Sequence, residues 1–182
     1  MLTNLELKNI KESIVNENEL TLGEYGDVKK LPANIYQKIN CYAYALGIMY
    51  PSIKYTPGFT TDSEYIEDLK ESLIQKICED LDNLGISYRR VEEDETLHEN
   101  EYLIQVMYVP YYCDLWIKSD FHFSRKSKDG IWFSKPGWLH QTTSEYIEVV
   151  EKENDYEIVK IHTEKTTREY IRVGFFAITE KS

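Results

Sequence analysis

Cys41 is the residue whose setting best suits chemistry. It opens the run Cys41-Tyr42-Ala43-Tyr44-Ala45-Leu46, with Asn40, a favoured N-cap residue, before it and Gly47, a residue type that ends helices, after it. The pattern predicts a short buried helix with the thiol in its first turn. A helix N-terminus presents backbone N–H groups and the positive end of the dipole, both of which favour a thiolate over a thiol. The same N–H groups suit the oxyanion that forms when sulfur attacks an amide carbonyl. The competing reading makes Cys41 a small core residue among alanines and tyrosines.

A thiol used as a nucleophile needs a base. In Asp120-Phe121-His122-Phe123-Ser124-Arg125, strand alternation puts Asp120, His122 and Ser124 on one face and Phe121 and Phe123 on the other. A histidine on the polar face of an apolar strand can take a proton from a thiol that the fold brings to it. A lone strand histidine can equally be structural. The pair says more than either member.

The remaining candidates carry less. His98 lies in the acidic run from Glu92 to Glu101, His140 follows a turn, and His162 sits on a strand-like segment with Glu164 beyond it. None has a second His at metal-ligand spacing, so zinc is not expected. Cys41, Cys78 and Cys113 include no pair separated by two residues, which points to reduced thiols in a reducing compartment. Cys113 is an alternative thiol, but it precedes a strand and lacks the field of a helix end; Cys78 falls inside a long helix. The 8 glycines are scattered, with no phosphate-binding loop, so no nucleotide or other cofactor is expected.

The elements that must position Cys41 and His122 follow from hydrophobic spacing. Leu5, Leu7, Ile10 and Ile14 predict a helix over Asn4 to Val15. Thr61 and Glu64 form a capping box for a helix reaching Leu84, along which Tyr65, Leu69, Leu73, Ile77 and Leu81 recur every four residues. Ile86 to Val91, Tyr102 to Val109, Leu115 to Arg125 and Ile131 to Ser134 read as strands, with Lys128-Asp129-Gly130 as a hairpin turn. Tyr156 to His162 and Tyr170 to Thr179 also read as strands, while Tyr146 to Val150 fits either a helix or a strand. Helices first and strands later predict one α+β domain, with N-terminal helices packed on an antiparallel sheet.

A cysteine heading a short Ala-rich helix, followed downstream by a histidine on the first strand of a hairpin, resembles the papain-like superfamily of cysteine peptidases and amidases, and its small NlpC/P60-type members in particular. The resemblance covers about Asn40 to Gly137 and implies a papain-like core within a single domain of residues 1–182. It implies a thiol hydrolase cleaving a peptide, isopeptide or related amide bond in a protein or peptide substrate. Cys41 would be the nucleophile and His122 the base. The family's third polar residue, on the strand after the histidine, falls near Ser134, and Asp120 or Asp129 could take its place. Asn40 or Gln37 could add a donor to the oxyanion site.

Charge narrows the partners. With 21 Lys+Arg against 32 Asp+Glu, the net charge of −11 sets a repulsive field against phosphates, so nucleic acid is not expected. No stretch of about 18 apolar residues occurs, and the first residues lack the apolar region of a secretion signal. A cytoplasmic location, or delivery without a classical signal peptide, is the expectation. The same charge, with 15 tyrosines, supports a rival function: a non-enzymatic protein that blocks a basic partner with an acidic, tyrosine-rich surface.

Overall fold

The computed structural model describes residues 1–20, 39–51, 53–61, 70–109, 120–135 and 142–182. Residues 21–38, which include Gln37, the helix start around Glu64, Tyr65 and Leu69, Cys113 and its neighbours, and Pro136, Gly137 and His140 lie outside them.

Three helices are described: α1 (Asn4–Ser13), α2 (Cys41–Ala45) and α3 (Lys70–Leu84). Thr3 caps α1 through a reciprocal box with Glu6, the hydroxyl accepting from the Glu6 amide and the Glu6 carboxylate from the Thr3 amide. Asn40 caps α2, its Oδ1 accepting from the Ala43 N–H at 3.0 Å. Seven strands follow: β1 (Tyr88–Val91), β2 (Glu101–Val109), β3 (Asp120–Lys126), β4 (Trp132–Ser134), β5 (Thr143–Lys152), β6 (Glu157–His162) and β7 (Thr167–Thr179). The segment from Tyr146 to Val150, which fits either helix or strand by spacing, belongs to β5.

The order of the strands corrects the expected fold class. They lie as β1-β7-β2-β3-β4-β5-β6, and β6 pairs back onto β7, so β2 to β7 close a six-stranded antiparallel barrel with β1 added outside the ring. This is a mainly β structure with three short helices, not an α+β sheet covered by helices and not a papain-like or NlpC/P60-like core. The reason lies in β7. One of its edges pairs with β2 over Ile171 to Thr179. The other pairs first with β6 over Thr167 to Arg172 and then with β1 over Phe175 to Ile178. Gly174 sits between the two sets of partners, where a Cβ would come within 3.0 Å of the Arg90 guanidinium. A bulge at the same level shifts the β2–β7 register between Val106 and Met107, and such bulges bend strands sharply enough to curl a sheet.

Alternation on these strands divides the core. Ile104, Val106, Phe123 and Phe176 face the helices and pack against Ile10, Tyr42, Tyr44, Leu46, Ile77 and Leu81. Leu103, Trp132, Phe175 and Ala177 form a second cluster on the opposite face of the wall, and Met107, Val159, Ile161 and Tyr170 a third; these fill the barrel. Helix α2 lies against β3, where the Tyr42 ring meets Phe123 with centroids 4.5 Å apart. Asp80 of α3 holds α2 from behind. Its carboxylate accepts from Tyr42 Oη at 2.9 Å, from the Gly58 amide at 2.7 Å and from the Thr60 amide at 3.0 Å. Burial raises the Asp80 pKa above the usual carboxylate value despite these donors.

Candidate active site

Three elements converge on one point. Helix α2 supplies Cys41, 7% exposed, as its first residue. Strand β3 supplies His122, whose side chain is 13% exposed and whose imidazole sits beside Cys41, near enough for that residue to raise its pKa. Strand β5 supplies Glu145, whose side chain is 1% exposed, with Oε2 3.0 Å from His122 Nε2. The other Glu145 oxygen accepts from Ser124 Oγ at 2.7 Å. Imidazole, carboxylate and hydroxyl thus form one hydrogen-bonded row, with the Cys41 thiol at its His122 end.

Packing fixes the plane of the ring. The Tyr170 side chain of β7 stacks on His122, with centroids 5.1 Å apart and planes 20° apart. Burial opposes charge on the imidazole, but the adjoining Glu145 carboxylate and Cys41 together outweigh it and hold the His122 pKa well above the ordinary histidine value. The ring is therefore a strong proton acceptor beside sulfur. Lys135, fully buried just after β4, adds a second nitrogen in the neighbourhood of Cys41. Burial brings the Lys135 pKa down to about 8, with Cys41 acting in the opposite direction.

The structure brings Cys41 and His122 together and gives the third place to a different residue. Ser134 ends β4 with its Oγ buried and without a hydrogen-bond partner, so it does not orient the ring. Asp120 begins β3, but its side chain lies outside the described residues. Asp129 is exposed in the β3–β4 turn. Asn40 is committed elsewhere: beside its capping bond, Nδ2 donates to the Tyr55 carbonyl.

Glu145, Tyr170 and Lys135 were not singled out by sequence reasoning. The signal for Glu145 was a strand alternation of exposed Ser144 and Tyr146 around an inward-facing acid, readable only once residues 143–147 are assigned to a strand. His162 bonds Glu148 at 2.7 Å and Thr167 at 3.0 Å in an exposed setting, and His98 sits in the open beside Glu101. Among the described residues no cluster of His, Cys, Asp and Glu could hold a metal ion. No helix among them is long and apolar enough to cross a membrane. An open cleft of about 560 Å³ lined by Glu92, Glu93, Asp155, Glu157 and Arg172 contains none of Cys41, His122 and Glu145.

Fold and site together define a small antiparallel barrel that presents a thiol, an imidazole and a buried carboxylate in a single row. The chain belongs to the family described as Domain of unknown function (DUF7689), whose model matches residues 30–164, a span that includes all three. No curated protein and no solved structure matches the chain.

Proposed function

We propose that this protein is a thiol hydrolase that cleaves a peptide, isopeptide or related amide bond in a protein or peptide substrate. The observation that carries the reading is the position of His122, beside Cys41 on one side and hydrogen-bonded to the buried Glu145 carboxylate on the other. That is the arrangement in which a base removes a proton from sulfur and a third group holds the base in place. The chemical logic is that of the papain-like enzymes, carried here by a different framework.

In this scheme His122 holds the thiol proton while the Cys41 sulfur attacks the carbonyl carbon. A C–S bond forms and the carbonyl π electrons move onto oxygen. The Cys41 amide, at the first turn of α2, would serve as a backbone donor to that oxygen. As the intermediate collapses the C–N bond breaks, and His122 delivers its proton to the departing amine. Water then attacks the thioester, gives its proton to His122, and sulfur leaves with the bond electrons. An amine in place of water would make the same protein a transferase. Glu145 fixes ring orientation and stabilises the imidazolium throughout, and Ser124 fixes Glu145.

The test is site-resolved alkylation of the purified protein with iodoacetamide at neutral pH, followed by cleavage of fluorogenic peptide amides. Preferential modification of Cys41 that disappears in His122→Ala supports the reading. Equal labelling of Cys41, Cys78 and Cys113, unaffected by His122→Ala, rejects it. The rival acidic binding protein predicts an activity untouched by Cys41→Ala and lost when Glu92, Glu93 and Asp94 are replaced.

A further inference from the structure

The helix that carries Cys41 is fastened at its other end by a side chain from the barrel wall. A helix leaves its last carbonyls without partners further along its own backbone ladder, so each needs a donor from elsewhere. In α2 the carbonyls of Tyr42, Ala43 and Tyr44 accept from the amides of Leu46, Ile48 and Gly47 at 3.2, 2.9 and 3.0 Å. The Ala45 carbonyl takes its donor from β2 instead, accepting from the buried Tyr102 Oη at 3.1 Å. That bond is one residue removed from the thiol, because in an α-helix the Ala45 amide donates to the carbonyl of Cys41. Arg125 of β3 holds the phenol in turn. Strand alternation turns Arg125 to the helix side together with Phe123, and its guanidinium carbon lies 3.4 Å from the centre of the Tyr102 ring. The Arg125 side chain is 1% exposed, and Nε, Nη1 and Nη2 are buried without a hydrogen-bond partner. Its charge is met by the face of Tyr102 and by Glu180 Oε1 at 3.6 Å. A buried cation so poorly hydrogen-bonded is costly, so what it holds in place must offset that cost.

We propose that Tyr102 is a positioning residue of the Cys41 site, holding α2 by the Ala45 carbonyl at the setting that brings sulfur to His122, with Arg125 fixing the Tyr102 ring. The inference rests on the thiol-site reading given above. Strand β3 then addresses α2 at three levels. His122 stands beside Cys41, the first residue of the helix; Phe123 packs on Tyr42, with ring centroids 4.5 Å apart; and Arg125 acts through Tyr102 on Ala45, the last. Base and clamp share one strand, so a slip of α2 along its axis changes the spacing between Cys41 and His122 directly.

The experiment measures the rate of Cys41 alkylation by iodoacetamide from pH 5 to 10 in the full chain, well below each variant's melting temperature, resolving each thiol by peptide mass spectrometry with Cys78 as internal reference. It compares the parent with Tyr102→Phe, Arg125→Lys and His122→Ala. The first two leave the net charge unchanged. Phenylalanine keeps the ring that Arg125 covers and removes only the donor to Ala45, so this variant decides the matter if Arg125→Lys fails to fold. Easier access to sulfur scales the whole profile, whereas a sulfur moved away from His122 shifts its midpoint, because the thiolate loses the neighbour that favours it. The expected result for Tyr102→Phe is a midpoint about half a unit higher, or about threefold slower Cys41 alkylation at pH values below it, with Cys78 unchanged. Arg125→Lys is expected to shift the midpoint in the same direction. A Tyr102→Phe midpoint equal to the parent's, even with a lower melting temperature, overturns the inference, and an Arg125→Lys midpoint equal to the parent's overturns the part given to Arg125. In either case a shifted midpoint in His122→Ala leaves the thiol-site reading standing. If His122→Ala also keeps the parent's midpoint, that reading falls and this inference falls with it.

Discussion

Glu145 Oε2 lies 3.0 Å from His122 Nε2, inside a barrel wall that leaves the carboxylate 1% exposed. A buried charge so placed is tolerable only while its partners remain, because removing one member leaves the other unpaired in a poorly solvated site.

Replacing His122 by alanine is therefore expected to destabilise the protein by about 3 kcal/mol, more than a typical surface change, since Ser124 alone then faces Glu145. Glu145→Gln, which removes the charge and keeps the shape, should cost less stability and still lower Cys41 alkylation at neutral pH by about tenfold or more. Urea unfolding and alkylation rates, measured on the same samples, separate the two effects.

The pH dependence has a definite sign. His122 has a folded pKa well above the ordinary 6.5, so its proton stabilises the folded state. That contribution is fully present below 6.5 and is lost as pH rises through the higher folded value. Thermal melts across this window should show stability falling with pH in the parent and a flatter curve in Glu145→Gln. An identical slope in both would disconnect Glu145 from the His122 proton.

Tyr42→Phe tests the support behind Cys41. It removes the Oη donor to the buried Asp80 carboxylate, at 2.9 Å, while leaving the ring packed on Phe123. A loss of about 1–3 kcal/mol in chemical denaturation is expected, the cost of an acceptor deprived of one buried donor.

Gly47 offers a backbone test just beyond α2. Its φ is +74°, and a Cβ there would collide with the Val15 carbonyl oxygen. The Val15 amide also donates to the Gly47 carbonyl at 2.9 Å, so neither partner can retreat without breaking that bond. Gly47→Ala should destabilise by about 1–3 kcal/mol and disturb the register of Cys41. A melting temperature equal to the parent's would show that the α1–α2 connection yields more easily than its geometry implies.

How far the sequence announced this site can be argued residue by residue. The period of two along Phe121, His122, Phe123 and Ser124 separates the chemical face from the packing face, and the described structure keeps that division. Asn40 and Gly47 bracket α2 because capping and left-handed backbone are local properties. The barrel was not legible, because its closure depends on β7 pairing with β2 along one edge and with both β6 and β1 along the other. A continuous apolar run such as Val173 to Ile178 says that a strand is buried, not which strands it meets. Glu145 was missed for a related reason. Ser134 is the third position that the family resemblance implies and Asp120 shares a strand face with His122, whereas Glu145 reaches the ring from β5, on the far side of β4 in the sheet.

The stacking of Tyr170 on His122 carries a consequence for timing. During synthesis α2 leaves the ribosome early, yet the base arrives with β3, the carboxylate with β5, and the ring that clamps the base only with β7, the strand that shuts the barrel. A chain interrupted before β7 would hold the thiol but not the finished device. On the thiol-site reading proposed above, reactivity at Cys41 would be tied to the last closure of the fold.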